Sequence, residues 1–200
     1  MVALNSISVG RRVNRLTLIV AITGMPGAGK STATSALVKV GWKRVVMGDV
    51  IRAETTRRGL EPSAKNTGDV MRALRKERGP AAVAELCLDE IKRTGAEKVV
   101  VDGIRSMDEV GAFRKQAKVL LVAVHASPSR RFELLKERGR SDDPLSYEMF
   151  AARDRRELDV GIGESIALAD ETVSNQRATP EGLASDLLKV VGHWESVVTS

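Results

Sequence analysis

The chain has 200 residues, 42% hydrophobic and 29% charged, which excludes a disordered chain and allows one well-buried domain but not two. Its longest apolar run, Leu16 to Ile22, is far below the ~20 residues that cross a membrane, and no signal-peptide pattern is present, so a cytoplasmic location is expected. The net charge of +6 is concentrated in residues 1–60, with ten basic and two acidic residues, and suits a polyanionic ligand, either small molecule or nucleic acid.

Residues 1–15 are predicted to form a basic N-terminal tail, because they are polar and show no periodicity. From Leu16 onward, short apolar runs alternate with helical patterns. The runs predicted as strands are 16–22, 44–47, 98–102, 119–124 and 171–174. Strands separated by helices are typical of βαβ units. Residues 16–200 are therefore predicted to form one three-layer α/β/α domain with a central, mostly five-stranded parallel sheet.

The sequence predicts where three of the helices begin. Ser106 and Glu109 have the spacing of a capping box. Ser127 and Thr179 each precede a proline, which favours a cap residue followed by proline at the first helical position.

The first predicted strand is followed by the phosphate-loop pattern Gly-x-x-x-x-Gly-Lys-Ser, which opens a helical run over 30–40. Its glycines let consecutive N–H groups converge on phosphates at the helix N-terminus. Lys30 then reaches the β and γ phosphates, and the Ser31 hydroxyl binds Mg²⁺. The sequence therefore predicts a P-loop NTPase that binds ATP and Mg²⁺. The expected nucleotide contacts are Gly24, Met25, Pro26, Gly27, Ala28, Gly29, Lys30, Ser31 and Thr32.

Two further segments carry residue types that phosphoryl transfer needs. In Gly48-Asp49-Val50-Ile51-Arg52, Asp49 is predicted to cap a helix, and Arg52 lies one turn further on, able to bind a phosphate in bidentate fashion. Asp102 follows three valines at the end of a strand, where P-loop enzymes place the carboxylate that orders Mg²⁺. Ser31 and Asp102, the latter partly through water, are the candidate Mg²⁺ residues.

With these segments, the chain resembles the adenylate kinase and dephospho-coenzyme A kinase group, and most closely archaeal adenylate-kinase-related proteins. Gly48–Arg52 is similar to Gly-Asp-x-x-Arg of adenylate kinases and to Asp-x-Ile-x-Arg of dephospho-coenzyme A kinases. Asp102-Gly103-Ile104-Arg105 is similar to Asp-Gly-Phe-Pro-Arg, with the arginine one position sooner. The resemblance implies that Arg52, Arg105 and their neighbours Asp49 and Asp102 bind the acceptor, with acceptor-binding helices at about 49–95.

The segment Arg138-Gly-Arg140-Ser-Asp-Asp-Pro, with the later Arg153, resembles the short helical lid of this family, at about 138–156. The resemblance implies that Arg138, Arg140 and Arg153 embrace the transferring phosphoryl group, together with Lys30 and Asp49 as catalytic residues. Balanced charge in this region leaves open a solvated, salt-bridged helix pair. Asn175 matches the loop beside the adenine; it is expected to touch the base, with a turn asparagine as the alternative.

The expected function is ATP-dependent transfer of the γ-phosphoryl group to a nucleotide-type acceptor, foremost a nucleoside monophosphate such as AMP. A hydroxyl acceptor, as in dephospho-coenzyme A, stays open, because Asp49 is compatible with a base that removes its proton. An ATPase or switch that binds RNA or a protein partner is a second class, supported by the basic first third, although nucleic acid is not favoured. A non-catalytic sensor of AMP and ATP is the third.

Overall fold

A computed structural model describes residues 17–139 and 143–200, so the predicted tail at 1–15 lies outside the described residues. The described residues contain five strands: β1 (Leu18–Thr23), β2 (Lys43–Val46), β3 (Lys98–Asp102), β4 (Lys118–His125) and β5 (Glu171–Ser174). They form one parallel sheet in the order β2-β3-β1-β4-β5. The predicted α/β fold with a five-stranded parallel sheet is confirmed.

Helices cover both faces of this sheet and begin largely where the sequence predicts. Those in the described residues are α1 (Lys30–Lys39), α2 (Met47–Arg57), α3 (Ala64–Arg78), α4 (Ala82–Thr94), α5 (Met107–Arg114), α6 (Pro128–Arg138), α7 (Tyr147–Val160), α8 (Ile162–Ala167) and α9 (Pro180–Val198). The side chains of Ser106, Ser127 and Thr179 cap α5, α6 and α9 as predicted. None of the described helices is long and apolar enough to span a membrane.

The central strand β1 is buried along its whole length, and its side chains alternate between two apolar layers. Leu18, Val20 and Ile22 pack with residues of α1 and α9. Ile19 and Ala21 pack with residues of α2, α3, α4 and α5 on the other face. A strand covered on both faces explains the continuous apolar run in the sequence.

The carboxyl ends of β1, β3 and β4 meet at one edge of the sheet. In the parallel register, Ile22 is opposite both Asp102 of β3 and Val122 of β4. The loop at 24–29 leaves β1 at this edge, next to Asp102. In open parallel sheets, ligands bind outside the carboxyl ends of the strands, so this edge is where a site is expected.

Candidate nucleotide and phosphoryl-transfer site

The predicted phosphate loop connects β1 to α1 and contains three glycines with positive φ. Gly24, Gly27 and Gly29 have φ angles of 140°, 81° and 101°, which residues with a Cβ rarely adopt. A Cβ on Gly24 would lie 2.3 Å from the carbonyl oxygen of Val124, and one on Gly29 would lie 2.4 Å from Nδ2 of Asn175. The loop therefore requires glycine at both positions, for conformation and for packing.

Several backbone N–H groups of this loop remain available to an anion. Within the described part of the chain, no backbone carbonyl accepts a hydrogen bond from the N–H groups of Gly27, Gly29, Lys30, Ser31 and Thr32. Gly29 is the N-cap of α1 and no side chain caps that helix, so the positive end of its dipole is directed to the same place. Unpaired donors at a helix N-terminus form a phosphate-binding site.

Lys30 lies across this loop. Its Nζ donates to the carbonyl oxygens of Gly24 at 2.5 Å and Met25 at 3.1 Å. Burial lowers the pKa of Lys30 from its ordinary 10.5 to about 8, although the carboxylates of Asp102 and Glu157 partly oppose that shift. The ammonium group is thus held where phosphates would bind, and an added anion would favour its charged form.

The lowered pKa of Lys30 predicts how the affinity for Mg-ATP depends on pH. A bound triphosphate raises the pKa of Lys30 above its free value of about 8, so binding above that pH must take up a proton. We expect the affinity for Mg-ATP to have its full value below about pH 8, where Lys30 is protonated before binding. Above that pH, the affinity should fall by up to about tenfold per pH unit. Calorimetric titration between pH 7 and 9, in buffers of different ionisation enthalpy, measures both the affinity and the proton uptake. Proton release on binding would contradict this assignment.

A cavity of about 690 Å³ opens above the loop. Its walls come from the loop, the segment after β3, the helices α6 and α7, and the segment between β5 and α9. The basic side chains on these walls outnumber the acidic ones by five to two: Lys30, Arg105, Arg130, Arg138 and Arg153 against Glu137 and Glu157. This excess of positive charge fits a polyanionic ligand of nucleotide size.

Asp102 lies beside the loop at the end of β3, with its side chain buried. Its Oδ2 accepts a hydrogen bond from Nη2 of Arg44 in β2 at 2.5 Å. A buried carboxylate requires a partner, and the guanidinium group of Arg44 provides it. Arg44 is not among the site residues predicted from the sequence, because nothing in the run Lys43–Val46 indicates which strand lies next to β2.

Arg105 lines the cavity and already has a charged partner there, while its contact with an acceptor stays a prediction. Its Nε lies 3.0 Å from Oε2 of Glu157 in α7, which is not among the site residues predicted from the sequence. The backbone N–H of Arg105 donates to Oε2 of Glu109 at 2.8 Å, and Glu109 also accepts from Nη2 of Arg75 in α3 at 3.1 Å. Only the Ser106 half of the predicted capping box therefore forms, since the Glu109 carboxylate binds the residue before the cap.

Two of the three predicted lid arginines also reach the cavity. Nε of Arg138, at the end of α6, donates to Oδ2 of the buried Asp143 at 2.9 Å. Nη1 of Arg153 in α7 lies 3.8 Å from Oδ1 of Asp143. Arg140, the third, lies outside the described residues. Asp143 therefore links Arg138 and Arg153 to each other.

Asp49 and Arg52 are not on the walls of this cavity. Asp49 is in the first turn of α2, whose N-cap is Val46, so the prediction that Asp49 caps the helix is wrong. The helix begins earlier because the chain passes directly from β2 into α2 at the buried Met47. Asp49 and Arg52 form an exposed ion pair with each other. Asp49 also lines a smaller hollow of about 310 Å³ that contains Arg44.

Asn175 lies after β5 and is buried against the loop. Its Nδ2 donates to the carbonyl oxygen of Ala28 at 3.1 Å, and its backbone N–H donates to His125 at 2.7 Å. It also lines the cavity. The contact with a base remains a prediction, whereas the contact with the loop is observed.

The donor set at this site fits a magnesium ion that arrives with a triphosphate. Ser31 is exposed at the start of α1, and the Asp102 carboxylate lies at the neighbouring strand end. Within the described residues, no group of three or more His, Cys, Asp or Glu side chains forms an all-protein metal site. One hydroxyl and one carboxylate, completed by phosphate oxygens and water, match the way Mg²⁺ is bound with nucleotides.

The fold and the loop together define the class of this protein, which is a P-loop nucleotide-binding protein with a kinase-like α/β/α architecture. A family model described as "AAA domain" matches residues 23–149. The chain belongs to this family and to the UPF0200 proteins. It is 48% identical over 163 residues to the UPF0200 protein of Methanocaldococcus jannaschii, which covers 80% of this chain and 83% of that protein.

Solved structures with the same fold include the following two. TT1252 from Thermus thermophilus matches 89% of this chain and 98% of its own, with a TM-score of 0.61 and 22% identity. The shikimate kinase from Acinetobacter baumannii, in complex with shikimate, matches 89% of this chain and 94% of its own, with a TM-score of 0.54 and 16% identity. At these identities the likeness establishes the fold alone.

Proposed function

We propose that this protein is an ATP-dependent small-molecule kinase that transfers the γ-phosphoryl group to a nucleotide-type acceptor, foremost a nucleoside monophosphate such as AMP. One observation carries the proposal: the phosphate loop shares its cavity with arginines from three other parts of the fold, Arg105, Arg138 and Arg153. A phosphoryl group in transfer spreads negative charge over its oxygens, and arginines placed around it stabilise that charge.

The contacts described above support the following roles on the donor side. The N–H groups of the loop and Lys30 hold the β and γ phosphates, and Arg138 and Arg153 neutralise the transferring group. Ser31, and Asp102 through water, would hold Mg²⁺, which would supply further charge neutralisation. The hydrogen bond from Arg44 holds the Asp102 carboxylate in place.

The acceptor side is assigned to Arg52 and Asp49. Both side chains are exposed and engage each other, so an acceptor phosphate can replace Asp49 as the partner of Arg52. Asp49 would then be released to orient the acceptor or to organise water.

We expect Arg52→Met to raise the acceptor KM by about 10- to 100-fold while the KM for ATP stays within about twofold, because one charge-assisted contact to the acceptor is lost. Steady-state kinetics with each substrate varied in turn measures both constants. Arg72→Met is the matched control, since Arg72 forms a similar exposed i,i+3 pair with Asp69 on α3. Equal increases in both KM values would remove Arg52 from the acceptor site.

One observation favours a hydroxyl acceptor as the second candidate. Glu157 compensates the charge of Arg105, so an acceptor phosphate would have to displace a carboxylate from that arginine. A neutral hydroxyl acceptor, as in dephospho-coenzyme A, would leave the ion pair intact, with Asp49 as the base for its proton.

A direct assay separates these functions. Purified protein with Mg-ATP is incubated with each nucleoside monophosphate, with dephospho-coenzyme A, and without acceptor. ADP formation that depends on a monophosphate supports the first proposal, and dependence on dephospho-coenzyme A supports the second. ADP formation at the same rate without acceptor indicates an ATPase, and binding of AMP and ATP without turnover indicates a sensor.

A further inference from the structure

Arg131 in α6 is a buried arginine whose side chain contacts the backbone of the phosphate loop. Only 3% of the residue is exposed. Its Nη1 donates to the carbonyl oxygen of Pro26 at 3.0 Å and to Oδ1 of Asp154 in α7 at 2.8 Å. Its Nη2 donates to Oδ2 of Asp154 at 2.5 Å, and its guanidinium carbon lies 4.9 Å from the centre of the Phe150 ring. Burying a charged pair is costly, so this geometry calls for an explanation.

The backbone of α6 also packs against the tip of the loop. A Cβ on Gly27 would lie 2.7 Å from the carbonyl oxygen of Arg131 and 2.8 Å from Cγ of Leu135. Helix α6 therefore limits how far the Pro26–Gly27 peptide can move, and Arg131 determines which way its carbonyl points.

The planarity of the peptide connects this contact to phosphate binding. In a trans peptide, the C=O of Pro26 and the N–H of Gly27 point in opposite directions. A carbonyl held on Arg131 therefore directs the N–H of Gly27 away from α6, and Gly27 lines the cavity. No backbone carbonyl of the described residues accepts that N–H.

We propose that Arg131, held by Asp154, is a positioning residue that orients the Gly27 N–H toward the bound triphosphate. This inference rests on the proposed nucleotide-binding function of the same loop. The neighbouring peptide provides an internal reference, because Asn175 and not Arg131 holds the carbonyl of Ala28, which precedes the N–H of Gly29.

The test replaces both charges at once, Arg131→Met with Asp154→Leu, so that no unpaired carboxylate stays buried. In protein labelled with ¹⁵N-glycine, we expect Mg-ATP to shift the Gly27 amide proton of the wild type downfield. In the double variant that shift is lost, the Gly29 shift is retained, and the Kd for Mg-ATP rises by about 10- to 100-fold, as expected for one lost hydrogen bond to a charged group. If the ion pair only stabilised the fold, its removal would not change the chemical shift of one amide selectively.

Val191→Ala is the control for lost stability, because it removes apolar side-chain volume from the core beside α9. It should leave both amide shifts unchanged. If the double variant does not fold, Arg131→Lys is used, since it keeps a positive charge beside Asp154 without the fork that reaches two acceptors. It is expected to lose the Gly27 shift as well. A variant with wild-type affinity and an intact Gly27 shift overturns this inference alone. A wild-type protein that does not bind Mg-ATP overturns the proposed function and this inference with it.

Discussion

Lys30→Met is expected to lower the rate of phosphoryl transfer by about 10³-fold or more. The substitution keeps the length of the side chain and removes the ammonium group that lies across the loop carbonyls of Gly24 and Met25. During transfer, negative charge is redistributed over the oxygens of the γ-phosphoryl group and the leaving oxygen, beside the position of Lys30. Removing one positive charge there is expected to cost as much as a lost oxyanion donor or more. Single-turnover assays, with whichever acceptor stimulates ADP formation in the assay proposed above, measure the rate of the chemical step.

The control for this prediction lies on the same helix. Lys39→Met removes an exposed lysine from the last turn of α1, far from the helix N-terminus, and is expected to leave the rate within about twofold. If Lys30→Met retains the wild-type rate, the loop is not the catalytic phosphate site. A loss of rate without any loss of Mg-ATP affinity would place Lys30 in the transition state rather than in ground-state binding.

The parts of the structure that were predicted correctly depend on local patterns. The strands β3 and β5 coincide with the predicted runs, because β-branched residues bounded by polar ones define a short strand without reference to other segments. The phosphate loop follows from the spacing of its glycines and Lys30. The caps at Ser127 and Thr179 follow from the proline that comes next.

The parts that were missed depend on residues far apart in the chain. Arg131 contacts Pro26 across 105 positions, and Arg44 contacts Asp102 across 58. No periodicity indicates such a pairing, because it results from the strand order and from the placement of α6 beside the loop. The strand order places β3 between β2 and β1, and the register sets Arg44 opposite Val100, two positions from Asp102.

The proposed acceptor residues illustrate a different limit of prediction from sequence. The motif at Gly48–Arg52 predicts that Asp49 and Arg52 act together with the phosphate loop. Both residues nevertheless lie on α2, outside the walls of the main cavity. A motif predicts that residues act on one substrate, whereas the distance between their side chains depends on how far the helices that carry them stand apart. Arg105 and Asp102 are held at the sheet edge itself and are therefore placed more directly by the fold.

Gly24→Ala is expected to lower the free energy of unfolding by about 4 kcal/mol, from backbone strain at a φ of 140° together with a steric clash. The clash is with backbone, since the new Cβ would lie 2.3 Å from the carbonyl oxygen of Val124. Val124 belongs to β4, which pairs with β1, so relief requires the two strands to separate at the edge where the loop begins. A typical domain is stable by about 5 to 15 kcal/mol, so this loss is a large part of the total.

Gly41→Ala separates the two contributions, because Gly41 also has a positive φ, 95°, but nothing lies within 4 Å of its added Cβ. It is expected to cost about 1 to 2 kcal/mol from backbone strain alone. Urea unfolding of both variants gives the two free energies on one scale. Gly24→Ala is also expected to abolish Mg-ATP binding, because the displaced loop no longer directs its N–H groups to one point, whereas Gly41→Ala keeps wild-type affinity. Equal losses of stability in the two variants would show that the Val124 carbonyl does not restrict the loop, and the close packing of Gly24 against β4 would then not be what holds the phosphate site in place.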